Sequence, residues 1–167
     1  MSVAAVRTAL TALIDTSVGA NVNVYNYSPF AVLDEQVIAL LQDNNSRLHF
    51  YTVTLARTRA HWHQMSDAQA ARYRVWTVTG FLATDDSASP HTQTVFEAEI
   101  EAIITAIEAD LELGGAVEPF DDARHSEFNP IGLPDARFDY RDVLGMLVHH
   151  VEMSITTRDV TPDTIAE

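Results

Sequence analysis

His61 and His63, one residue apart in "LARTRAHWHQM", have the spacing that most directly permits chemistry. On a β-strand, residues i and i+2 project from the same face, so two imidazoles can converge on one ion, as in His-x-His zinc sites. Zinc needs at least three protein ligands, and a catalytic site adds a carboxylate base or orienting partners. Nothing nearby supplies them. The chain has no Cys, so a third ligand would have to come from His49, His91, His125, His149 or His150 in distant segments. The pair therefore reads as the wet, arginine-flanked end of a strand, and neither a metal nor a cofactor is expected. There is no GxGxxG, P-loop or nucleophile elbow. Ser, His and Asp occur without a local context that would join them, so no catalytic residue is assigned and the chain reads as something other than an enzyme.

The elements that position these residues follow from periodicity. In "VAAVRTALTALI", Val3, Val6, Leu10, Leu13 and Ile14 form one helical stripe. "NVNVYNYSPF" reads as a short strand and turn, closed by Pro29. Asp34 suits the N-cap of a short helix carrying Val37, Ile38, Leu40 and Leu41. Residues 47–63 read as a long strand, apolar first and basic later, and "RYRVWTVTGFLA" from Arg72 is the returning arm. Between them, Ser66 to Gln69 fits a capping box for one helical turn. Arg57, Arg59, Arg72 and Arg74 thus fall toward one end of a long hairpin, as solvated arms or as a docking surface for an acidic partner.

The longest helix should begin with Ser89 as cap and Pro90 at its first position, and exit at Gly114. Phe96, Ile100, Ile103, Ile104, Ile107 and Leu111 would be its buried stripe, with Glu97, Glu101, Glu108 and Glu112 on the solvated face. Residues 118–136, with three Pro and the charges Asp121, Asp122 and Arg124, lack periodicity and read as a long loop. "RFDYRD" and "MLVHHVEMSITTRDV" are the closing strands, turning at "DVLG". In the second, Leu147, Val151, Met153 and Ile155 share the apolar face, where His149 reads as a hydrogen-bonded core histidine. A single domain over 1–160 with a frayed tail at 161–167 is expected from the length.

Composition narrows the class. The net charge of −14 argues against a surface that grips nucleic acid through phosphate contacts. All ten basic residues are Arg, which points to coding bias more than to a saline habitat. No apolar run reaches the roughly 20 residues of a membrane span, and the N-terminus lacks the pattern of a signal peptide, so synthesis in the cytoplasm is expected.

Helix, short strand with Pro, acidic turn, long hairpin, long helix, loop and two closing strands occur here in an order similar to that of the tail terminator proteins of long-tailed bacteriophages, the lambda-type tube-capping family. The residues carrying the resemblance are the opening helix through "VYNYSPFAVLDE" at 24–35, the hairpin around "RYRVWTVTGFLA", and "FDYRDVLGMLVHHVEMSITT" at 138–157. The hairpin end at 56–72 and the loop at 118–136 are longer than the family pattern. The resemblance implies an α/β (α+β) subunit with a mixed or mainly antiparallel sheet, a long projecting hairpin and helices on one side. It also implies a homo-hexameric virion ring that ends tail polymerisation and joins the tube protein to a head-completion or neck protein, with DNA passing through unbound. An acidic lumen would suit that passage by repelling phosphate. Arg57, Arg59, Arg72, Arg74, Asp121, Asp122 and Arg124 are the candidate interface residues. The alternatives are another head-to-tail joining protein of the same virion and, more remotely, a His-dependent metal enzyme.

Overall fold

A computed structural model describes residues 2–29, 41–43, 47–62, 69–85, 87–88, 90–110, 112–117, 132–143 and 145–162, with the backbone alone described at 59–62, 69–72, 132–133 and 158–162. In chain order the elements are α1 (Val3–Val18), β1 (Asn23–Tyr25), β2 (His49–Trp62), β3 (Gln69–Ala83), α2 (Thr92–Ala109), β4 (Gly132–Val143) and β5 (Met146–Pro162). The strands form one five-stranded mixed sheet in the order β1-β2-β3-β5-β4, in which only β1 pairs in parallel, with β2. Both helices pack on one face of that sheet.

Helix α1 starts where Ser2 accepts a hydrogen bond from the Ala5 amide at 3.1 Å and stops at Gly19, whose φ of 86° lies in the left-handed region that glycine enters freely. Its buried residues, Val6, Leu10 and Ile14, belong to the expected stripe. Helix α2 departs from its expected start. His91 is the cap, without a side-chain bond, and Pro90 lies outside the helix. At the first helical position the Thr92 hydroxyl accepts from the Asp85 amide at 3.0 Å and pairs with His149 Nε2 at 3.1 Å. The exit also moves. Asp110 closes the helix, and its carboxylate then accepts from the Gly114 amide at 2.7 Å, organising the turn that follows.

The main core joins these helices to the sheet. Val6, Leu10 and Ile14 of α1 and Phe96, Ile100, Ile103 and Ile107 of α2 meet Tyr51, Val53, Trp76, Val78, Val151, Met153 and Ile155. The pairings Tyr51↔Gly80↔Val151 and Val53↔Val78↔Met153 put these strand residues on one face, as the period of two requires. Gly80 interrupts that row because a Cβ there would collide with the Tyr51 ring and Val151. Its lack of a side chain makes the room that Tyr51 fills.

A second, smaller cluster lies on the opposite face: Leu41, Leu48, Phe50, Phe81 and Val148, with the Phe50 and Phe81 rings stacked 4.8 Å apart. It changes the expected reading of β5. Val148 and His150 are buried on the face opposite to that of Val151, whereas Leu147, expected on the apolar face, is 55% exposed.

Two boundaries differ from expectation as well. Strand β4 begins at Gly132, so the end of the expected loop is strand, with an irregularity in register between Gly132 and Asp135. Strand β3 pairs with β5 along the whole length of β3, from Ala83↔Val148 out to Gln69↔Pro162, so Thr161 and Pro162 are paired and the hairpin is backed by a third strand. Of the expected capping box, Gln69 belongs to β3; Ser66 to Ala68, the Asp34 helix and the segment 163–167 lie outside the described residues.

Candidate functional site

The hairpin arginines divide between two faces. Arg57 is exposed and pairs with Val75, whereas Arg74, opposite Thr58 and Thr157, continues the helix-covered face of Trp76 and is only 4% exposed. An irregularity between Leu55 and Arg57 accounts for the division: one extra residue in β2 reverses its alternation relative to β3. Arg74 is therefore corrected from a solvated docking residue to a buried one. Arg59 and Arg72 occupy register positions opposite Tyr73 and Ala60 at the same end of the hairpin. Asp121, Asp122 and Arg124 lie outside the described residues. So does His63, while His61 sits in β2 opposite Ala71. Among the described residues, no group of three His, Asp or Glu is arranged to hold a metal.

Two polar constellations emerge that sequence reasoning did not assemble. Where α2 crosses β2, Glu99 Oε2 accepts from the Tyr51 hydroxyl at 2.8 Å and lies 2.9 Å from His49 Nε2. On the other side of His49, Nδ1 stands 3.9 Å from Asp43 Oδ2, and Asp43 also holds the Arg47 amide and guanidinium. Burial, followed by the charge of Glu99, holds the Tyr51 phenol well above its ordinary pKa, so it stays protonated and donates the hydrogen bond to Glu99. The cluster satisfies polar groups under the helix. The available signal was Glu99 next to Ile100 on the apolar side of α2, away from the outward-facing glutamates.

The second constellation lies on the open face of β4 and β5. Asp135, Arg137, Asp139 and Arg141 alternate in sign along β4, and with His150 and Glu152 they line a shallow groove of about 500 Å³. Asp139 Oδ1 accepts from His150 Nδ1 at 2.6 Å, and Asp139 Oδ2 is 3.5 Å from Arg141 Nε. His150 is 1% exposed, and its Nε2 is buried beside the Phe81 ring without a hydrogen-bond partner among the described residues. Burial lowers the His150 pKa below its ordinary value, against the opposing Asp139 hydrogen bond and with the help of Arg141.

That direction gives a prediction. Because the folded-state pKa lies below the unfolded one, the unfolded chain takes up the His150 proton first as pH falls. The contribution of His150 to stability is thus full above about pH 6.5 and declines through and below it. Denaturant unfolding should show lower stability at about pH 5.5 than at about pH 7.5, with a smaller decline in His150→Gln. An identical decline in both proteins would reject His150 as the titrating group.

No family model matches the chain, and no characterised protein matches it in sequence. Among the described residues, no helix is long and apolar enough to cross a membrane.

Proposed function

We propose that this chain is a structural virion protein of a long-tailed phage, which caps the tail tube as a homo-oligomeric ring, ends tail polymerisation and forms the joint to the head-completion proteins. The observation that carries this reading is the order of elements. An amphipathic helix, a short strand, a long hairpin, a second long helix and a closing hairpin build one mixed sheet covered by helices on one side, in the order of the tail terminator family that the sequence resembles. The reading assigns the protein work done by surfaces. Exposed Arg57 on the hairpin is a described group available for such contacts.

The test is genetic and structural. Deleting the gene from its parent genome should leave heads and tails that fail to join, or tails of irregular length. Arg57→Glu should leave the purified chain folded while reducing the yield of joined virions. Reversing Arg74 is unsuitable, because an acid at that buried position would unfold the protein and obscure the interface effect. Normal tails in the deletion strain would reject the terminator reading.

A further inference from the structure

Strand β4 is an edge of the described sheet and pairs only with β5. It is twelve residues long and carries two large apolar side chains half in solvent, Phe138 at 53% and Tyr140 at 56% exposure. A long edge with exposed aromatics is a template for another strand, and natural proteins usually blunt such edges. The start of β4 carries such features, Pro134 and the register irregularity between Gly132 and Asp135, whereas over 135–141 the charges of the open face alternate in sign. The segment "DARFDYR", 135–141, has a further property: its charge pattern is complementary to its own reverse.

We infer that two copies of this chain associate through antiparallel pairing of β4 with β4, about a twofold axis at Phe138, to form one continuous ten-stranded sheet. In that register Asp135 faces Arg141 of the second copy and Arg137 faces its Asp139, and symmetry repeats both, so four opposite-charge pairs line the open face. On the helix-side face Phe138 meets its own copy and Tyr140 lies against Ala136. Antiparallel pairing keeps paired residues on the same face, so charges meet charges and aromatics meet apolar groups without conflict. The register is specified as well. A slip of two residues one way sets Asp139 against itself and Arg137 against Arg141; the other way sets Arg137 against itself and Asp135 against Asp139. Like charges directly opposite are unfavourable, so both slips are disfavoured.

In the single chain Asp139 keeps its hydrogen bond to His150 through Oδ1, while the two arginines have only weak local partners among the described residues. Arg137 Nε is 4.0 Å from Asp135, with both side chains largely exposed, and Arg141 Nε is 3.5 Å from Asp139. Such exposed pairs contribute little, so exchanging them for cross-strand pairs costs little, while covering Phe138 and Tyr140 supplies the apolar gain. The self-complementary arrangement is that of an isologous interface, in which the same patch serves both partners. The inference does not rest on the terminator reading.

The test uses the whole chain in light scattering and sedimentation at about 0.15 M salt, where repulsion between two acidic copies is screened beyond about 8 Å. The wild type should show a concentration-dependent species of two chain masses. Asp135→Arg alone and Arg141→Asp alone each place like charges at two symmetry-related positions and should weaken the dimer by roughly tenfold or more. The decisive result is the mixture. Asp135→Arg and Arg141→Asp combined in equal amounts are mutually complementary and should dimerise again, as should the chain carrying both substitutions. Recovery in the mixture also shows that each variant is folded. A wild type that stays at one chain mass at every concentration, an assembly that neither single reversal weakens, or a mixture that fails to recover would each overturn the inference.

Discussion

Ile103→Asp unfolds the domain at ordinary temperature, whereas Glu101→Lys, two residues away on the same helix, leaves its melting temperature nearly unchanged. Ile103 is fully buried in the main core between α2 and the sheet, and Glu101 is exposed. Burying an isoleucine side chain is worth about 1.5–3 kcal/mol. Replacing it with a carboxylate forfeits that gain and puts a charge where no cation faces it in the cluster, for a total of about 4 kcal/mol or more, a large fraction of the stability of an ordinary domain. Circular dichroism melting of both variants checks this. Equal effects would mean that the faces of α2 are assigned wrongly.

Trp76→Ala should be nearly as severe. Trp76 is the largest fully buried side chain among the described residues, packed in the main core, and its indole N–H donates to the buried Thr157 hydroxyl at 2.9 Å, tying β3 to β5. Removal leaves a cavity and strands the hydroxyl, at a cost of about 3–5 kcal/mol. Trp76→Phe keeps most of the volume and loses the hydrogen bond, so it should cost about 1–2 kcal/mol. Denaturant unfolding of the three proteins orders them wild type, Phe, Ala. If Ala and Phe were equally destabilised, the hydrogen bond would outweigh packing at this position.

Much of the architecture was legible because it is local. The stripe Val6, Leu10, Ile14 and the stripe Phe96, Ile100, Ile103, Ile107 both announce amphipathic helices at a period near 3.6, and the structure buries both. The two long arms of the hairpin and the two closing strands were likewise readable, since β-branched and aromatic runs bounded by turn residues need no distant information. His149 was placed on the apolar face by its parity in β5 and is buried there, bonded to Thr92.

What the linear pattern could not decide was anything set by a partner far along the chain. An extra residue in β2 near Leu55 turned Arg57 and Arg74 to opposite faces, and Arg74 became buried while Arg57 stayed exposed. Val148 and His150 were buried by the second cluster of Leu41, Leu48, Phe50 and Phe81, which alternation along β5 gives no sign of. Glu99 meets His49 and Tyr51 across about 50 positions of sequence, and Asp139 meets His150 only because β4 and β5 are in register there. The sequence by itself determined the two long helices, their apolar faces and the long strands, because those depend on neighbours within a few residues. Only the tertiary structure decided which polar groups meet, which arginine is buried and which strand is left at the edge, because pairing, register and cover are properties of the whole sheet.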